Sequence, residues 1–187
     1  GLGLDQVQLA ASASAPIPPD LIAWYRRLGL NLLEGYGMTE DFAFSHHSTE
    51  QHNAPGYVGI PYDGVQVRIG PGNEILIKSP GQMKGYYKRP EATAEAIVDG
   101  WFHSGDIGTM DADGYYTIVD RLKDMVIRGG FNVYPREIEE VLYGHPAVAE
   151  AAVIGVPHES HGEEVKAVLA LKAGHTATAD DIIGYCK

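Results

Sequence analysis

The sequence predicts a mixed α/β and α+β chain in two parts, the first ending in a β-rich, antiparallel or barrel-like segment and the second a compact α+β unit. Three observations predict it. Residues 16–33 read as a helix and a following strand; residues 57–119 read as short strands separated by Gly, Pro, Asp and Asn; and after Arg121 strands and helices alternate again. The change of pattern puts a boundary near 120–124, giving parts 1–120 and 121–187.

Taken in order, residues 10–15 are an Ala/Ser-rich stretch without clear periodicity. A helix is expected over 16–29: Pro18 and Pro19 precede it, Leu21, Trp24, Tyr25 and Leu28 make one apolar stripe, and Gly29 after Arg26 and Arg27 is a stop. Residues 30–33 then read as a strand leading into the turn Glu34-Gly35-Tyr36-Gly37-Met38-Thr39-Glu40. Short strands follow at 65–69, 74–78 and 115–119. Beyond 121 a strand precedes a helix over 135–143, with Pro135 at its first position, Glu137, Glu139 and Glu140 toward its positive end, and Ile138, Val141 and Leu142 as its buried stripe. Strands at 148–156 and 165–171 come next. A last helix begins near Thr178, with Asp180 and Asp181 in its first turn and Ile182, Ile183 and Cys186 at helical spacing. The chain opens at Gly1-Leu2-Gly3-Leu4-Asp5 as if inside an element and stops inside that helix, which reads as a piece of a longer protein with an amino-terminal part missing.

Composition narrows the function. Of 187 residues, 44% are hydrophobic and 21% charged, ordinary for a globular chain, and the formal net charge of −11 opposes broad attraction to nucleic acid or an anionic membrane. Any anion must be held locally. Cys186 is the single cysteine, so no internal disulfide forms, and no leader or membrane-spanning apolar run is visible; a reducing, cytoplasmic setting is the expectation.

Three constellations can carry chemistry. In Gly35-Tyr36-Gly37-Met38-Thr39-Glu40 two glycines permit close backbone approach, Tyr36 offers a stacking face, and Thr39 and Glu40 offer oxygens for a nucleotide and a magnesium ion. The plain alternative is a strand-to-loop turn with a surface Glu. In Gly100-Trp101-Phe102-His103-Ser104-Gly105-Asp106 a turn presents Asp106, and a carboxylate so held can accept both hydroxyls of a ribose. Its alternative is a solvated turn Asp beside two core aromatics. In Asp120-Arg121-Leu122-Lys123-Asp124, Arg121 is a second ribose or phosphate candidate, and Gly129-Gly130 allows an extended ligand near the backbone. An interdomain turn with incidental charges would look the same.

Taken together and in this order, these segments resemble the adenylate-forming superfamily of acyl-CoA synthetases, luciferases and peptide-synthetase adenylation domains. Ser12-Ala13-Ser14-Ala15-Pro16 resembles the adenine-side Ser-Gly-Ala-Ala-Pro segment, GYGMTE the Tyr-Gly-x-Thr-Glu motif, residues 74–87 the Gly-Glu…Gly-Tyr segment, and WFHSGD the Trp-x-x-Thr-Gly-Asp motif. The run DRLKDMVIRGGFNVYPREIEE resembles the linker motif, leaning toward the acyl-CoA synthetase branch. The resemblance implies the end of a large adenylation domain followed by a small, mobile, incomplete carboxyl-terminal domain. It also implies ATP or AMP, Mg²⁺ and coenzyme A as ligands and a carboxylic acid as substrate, with a fatty acid the expectation for that branch.

By the same resemblance Ser14, Ala15, Pro16, Gly35, Tyr36, Gly37 and Met38 surround adenine, with Tyr36 stacking on it. Thr39 touches the α-phosphate, Glu40 holds Mg²⁺, Asp106 binds the ribose with Arg121 nearby, Lys123 is the hinge, and Gly129 and Gly130 line the pantetheine path. Three departures stand out. Ala13 replaces the usual glycine, and neither the Ser/Thr/Gly-rich phosphate loop with its lysine nor the catalytic lysine near the carboxyl terminus is present in these residues. The chain alone is therefore expected to be inactive. Competing readings are a non-catalytic nucleotide-binding or complementation module, and adenylation with a carrier-protein acceptor. His46, His47 and His52 read as a polar, variable loop in preference to a zinc cluster, His103 is undecided, and Cys186 reads as a helix-face hydrophobe.

Overall fold

A computed structural model describes residues 6–15 and 17–186, so Pro16 and the first five residues lie outside the described part. The chain divides into two compact units, residues 1–118 and 119–187.

The first unit holds two sheets. Strand β1 (Ala10–Ser12) pairs in parallel with β2 (Leu32–Tyr36) across helix α1 (Pro19–Arg27), and β3 (His46–His47) and β4 (Ile60–Pro61) continue the sheet antiparallel. The Ala/Ser-rich stretch is thus partly a strand; small side chains hide the alternation that would have announced it. The expected helix is shorter, and its stripe is wrong. Ile22 is fully buried, whereas Leu21, Trp24 and Leu28 are 41%, 41% and 61% exposed. Hydrophobic spacing reported an apolar face but not which face this unit covers. The expected strand at 30–33 runs two to three residues later, so Gly35 and Tyr36 are strand residues and the turn begins at Gly37.

The second sheet has the order β5 (Gln66–Ile69), β6 (Glu74–Lys78), β8 (Trp101–Met110), β7 (Ile97–Val98), with β9 (Tyr116–Arg121) pairing with β8 and carrying the chain out of the unit. This open, antiparallel sheet is not a closed barrel. Its centre is β6, where Ile75, Leu76 and Ile77 are buried with Phe102 and Ile107 of β8. Helix α2 (Pro90–Ala96) interrupts what the sequence reads as strands alone; it is short and has no buried residue, so it leaves no amphipathic signal.

The second unit is one antiparallel sheet in the order β11 (Phe131–Val133), β10 (Val126–Arg128), β13 (Gly162–Leu171), β12 (Val148–His158), with helices α3 (Pro135–Tyr143) and α4 (Ala179–Tyr185). Its core joins Leu142, Val148, Val153 and Ile182, with Ile138 packed against them. Val141 (45%) and Ile183 (55%) face out instead, and Cys186 is exposed, so the expected stripes hold for Ile138, Leu142 and Ile182 only. The Glu139 carboxylate accepts from the Val153 N–H at 2.8 Å, fastening α3 to β12. Thr178 and Asp181 form a reciprocal cap at the start of α4.

Candidate functional site

In the first unit the residues singled out from two separate motifs converge. The Tyr36 hydroxyl at the end of β2 donates to Asp106 Oδ2 on β8 at 2.6 Å, across 70 residues of sequence. Burial, then the Asp106 charge, hold the Tyr36 hydroxyl far above its ordinary pKa, so it stays a proton donor to the carboxylate.

Asp106 is not in a turn, as the sequence suggested, but in the middle of a ten-residue strand. Two steps along β6, from Glu74 to Leu76, face four along β8, from Ile107 to His103, so β8 bulges there. Gly105 occupies the bulge with φ +71°, a left-handed conformation that glycine adopts without strain. A glycine in the middle of a strand reads as a turn from sequence alone, which explains the error.

After Tyr36 the chain turns sharply. A Cβ on Gly37 would lie 2.7 Å from the Ala43 Cα, so only glycine fits the turn as it stands. A short 3₁₀ helix, Thr39–Asp41, follows, and the buried Asp41 carboxylate accepts from the Met38 N–H at 3.0 Å. Burial raises the Asp41 pKa. Thr39 is exposed. Glu40 is held twice by one segment, its carbonyl by the Met83 N–H at 2.6 Å and its Oε1 by the Tyr86 hydroxyl at 2.9 Å. Tyr86 lines a shallow, open groove of about 490 Å³ with Lys84, Gly85, Pro90, Thr93, Ala94 and Ile97.

Beside Tyr36, on the paired strand β3, lies His46, 2% exposed, its ring 5.5 Å from that of Tyr36 and 4.6 Å from that of Tyr116. Nδ1 is 2.7 Å from Ser45 Oγ, and Nε2 has no partner among the described residues. Burial, and secondarily His47, push the His46 pKa down to about 3, so the ring is neutral. His46 and His47 are therefore strand residues packed on tyrosines, His47 stacking on Tyr62 at 4.0 Å, and not a variable loop. Among the described residues no group of three or more His, Cys, Asp or Glu is arranged to hold a metal. A single carboxylate such as Glu40 still suits Mg²⁺, which keeps waters and shares phosphate oxygens.

In the second unit the linker residues are a turn. Asp120 caps the linker and helix together: Oδ1 accepts from the Arg121 N–H at 2.7 Å and Oδ2 from the Arg136 N–H, in the first turn of α3, at 3.2 Å. The Arg121 carbonyl accepts from the Asp124 and Met125 N–H groups, and Lys123 is exposed within this turn. Gly129 (φ +58°) and Gly130 (φ +87°) form the exposed β10–β11 turn with open space where a Cβ would stand. Ser14 and Ala15 are exposed after β1.

Sequence reasoning missed Glu74 as a partner of this site. Its carboxylate is buried between the two central strands, bonded to His103 Nδ1 at 2.9 Å and to the Gly105 N–H at 3.0 Å. An acidic residue opening the otherwise apolar run Ile75-Leu76-Ile77 is the signal that pointed to it.

Residues 3–87 match the family model of the AMP-binding enzyme and residues 137–187 that of the AMP-binding enzyme C-terminal domain. A feruloyl-CoA synthase of Amycolatopsis is 42% identical over 98% of this chain and 40% of its own length. A long-chain-fatty-acid–CoA ligase of Salmonella typhimurium is 39% identical over 100% of this chain and 35% of its own. Among solved structures, ATP-bound MatB from Rhodopseudomonas palustris superposes with a TM-score of 0.86 at 39% identity, covering 95% of this chain and 38% of that one. The o-succinylbenzoate CoA synthetase of Bacillus subtilis, solved with its acyl-adenylate intermediate, gives 0.87 at 30% identity, covering 97% and 40%. The chain thus spans about two fifths of the length of the relatives it matches. With matches at both ends and an AMP-related fold throughout, the chain belongs to the family of adenylate-forming, AMP-binding enzymes.

Proposed function

We propose that the full-length protein activates a carboxylic acid with ATP and transfers the acyl group to coenzyme A. The observation that carries this reading is the Tyr36–Asp106 hydrogen bond, which joins two motif segments at one point beside the Gly35–Glu40 turn. In the first step the acid's carboxylate attacks the α-phosphorus of ATP, giving an acyl adenylate and pyrophosphate. In the second the coenzyme A thiol attacks the acyl carbon and AMP leaves.

The chain's residues supply position and charge. Asp106 accepts the ribose hydroxyls, with its direction fixed by Tyr36, whose ring offers a face to adenine beside Ser14, Ala15, Pro16, Gly35, Gly37 and Met38. Thr39 offers its exposed hydroxyl to the α-phosphate, and Arg121 assists at the ribose. Glu40, braced by Tyr86, holds Mg²⁺, which when bound neutralises phosphate charge. Lys123 sits at the hinge between the end of the large domain, residues 1–120, and the small mobile domain, residues 121–187. Gly129 and Gly130 give the pantetheine arm close access to backbone.

A fatty acid is the proposed substrate, on the likeness to long-chain-fatty-acid–CoA ligases, and the likeness to a feruloyl-CoA synthase makes an aromatic acid the rival. A cytoplasmic setting, where ATP and coenzyme A are both at hand, goes with this reading; among the described residues no helix is long and apolar enough to cross a membrane. The 187-residue chain by itself is expected to be inactive because it carries neither lysine-bearing motif. The test is mass spectrometry of the full-length protein with ATP, Mg²⁺, coenzyme A and a panel of fatty acids of graded length plus cinnamic acids. Acyl-CoA from one class identifies the substrate. Acyl adenylate without acyl-CoA points to a carrier-protein acceptor, and neither product across the panel sinks the proposal in favour of a nucleotide-binding module.

A further inference from the structure

We propose that Glu74 is a positioning residue that sets nucleotide affinity through the bulge carrying Asp106. The inference rests on the reading of Asp106 as the ribose carboxylate and adds a residue to it.

A carboxylate 9% exposed at the head of an apolar strand is costly unless its oxygens are bonded. Both are. Oε1 accepts from the Gly105 N–H at 3.0 Å and Oε2 faces His103 Nδ1 at 2.9 Å, so one carboxylate holds β8 inside the bulge and just before it. Ser104 ties the bulge to the same strand a second time: its hydroxyl donates to the Ile75 carbonyl at 2.7 Å and accepts from the Asp106 N–H at 3.0 Å. The Asp106 backbone is therefore fixed by Ser104, its neighbour by Glu74 and its side chain by Tyr36.

The bulge decides where Asp106 points. Successive strand residues face opposite sides of a sheet, so a change in the number of bulged residues turns the side chain away from Tyr36. Without Glu74 the Gly105 N–H loses its acceptor, and Ser104 alone is left to hold the bulge. A sheet-stabilising Glu–His pair with no bearing on the ligand is the rival role.

The experiment compares AMP with 2′,3′-dideoxy-AMP, which lacks the hydroxyls Asp106 would accept, on the full-length protein by calorimetric titration. Glu74→Ala is expected to weaken AMP binding at least tenfold and dideoxy-AMP binding less than threefold. Glu74→Gln, which keeps an oxygen for the Gly105 N–H, should stay within threefold of the wild type for both. Equal loss for the two ligands, or AMP affinity unchanged in Glu74→Ala, overturns the inference. If Glu74→Ala does not fold, Glu74→Leu, which fills the same space without an acceptor for the Gly105 N–H, takes its place, with the same selective loss expected and the same overturning result. Failure of the underlying reading has a different mark: Asp106→Ala would then weaken both nucleotides alike or neither. In that case the Glu74 inference falls together with the ribose role of Asp106.

Discussion

Around Asp106 the strand is held by half-buried bonds to Glu74, Ser104 and Tyr36, whereas Lys123, Gly129 and Gly130 lie in exposed turns, with open space where a Cβ on either glycine would stand. Both regions are rich in glycine, and glycine does different work in each. At Gly37 the missing Cβ makes room for the backbone of Ala43; at Gly129 and Gly130 it only permits a left-handed turn. A site that must present a carboxylate at one angle needs the first kind of construction. The hinge proposed at Lys123 needs an exposed turn instead, because a few unencumbered dihedrals can absorb a rotation.

The sharpest way to break that contrast is at the joint. Lys123→Pro fixes one backbone dihedral and should leave acyl-adenylate formation within threefold while slowing thioester formation on the order of tenfold or more. Separate single-turnover assays of the two steps check it, and equal slowing of both would remove Lys123 from the hinge.

The first unit should also lose stability in acid through His46. His46 has its folded pKa pushed below the unfolded value, so its neutral, buried form supports stability above about pH 6.5, and that support is lost as pH falls toward about 3. The loss by pH 4 is on the order of 3 kcal/mol. Thermal melts of the wild type and of His46→Gln across pH 4–7 test it, the variant being expected to show a flatter slope. Parallel slopes would mean that another group carries the acid sensitivity.

A smaller effect separates the glycines. Gly37→Ala must push the Ala43 backbone and should cost about 2–3 kcal/mol, while Gly130→Ala, strained in φ but unobstructed, should cost about 1 kcal/mol. Denaturant titrations give both values, and equal costs would erase the distinction between a packed and an open turn. The smallest effect is in the second unit, where a hydrogen bond from Arg128 holds the exposed Glu164 carboxyl down at about 2. Its contribution is present above the ordinary carboxyl pKa and disappears as pH falls through the folded value. Arg128→Gln should therefore change the melting temperature only slightly at pH 7 and still less as pH falls to about 2.

The same contrast explains what could be read without coordinates. The linker and α3 were legible because local signals agree: Pro135 at the helix start, Glu137 in its first turn, and apolar residues at helical spacing. The Tyr36 and Asp106 segments were legible as motifs, and the resemblance put both at one nucleotide, but their direct hydrogen bond was not legible, since nothing local marks a bond across 70 residues. The strand containing Asp106 was read as a turn because Gly105 looks like punctuation when its partner strand is unknown. Leu21, Trp24 and Leu28 were read as a buried stripe because spacing shows that a face is apolar, not what lies against it. His46 was read as polar loop because a buried neutral histidine between two tyrosines looks no different in sequence from a solvated one.

The account stands most directly on Asp106. Titrating AMP into the full-length protein and into Asp106→Ala should give binding in the first and none detectable in the second, with both proteins folded by circular dichroism. AMP bound by Asp106→Ala as tightly as by the wild type would contradict it and move the ribose site elsewhere.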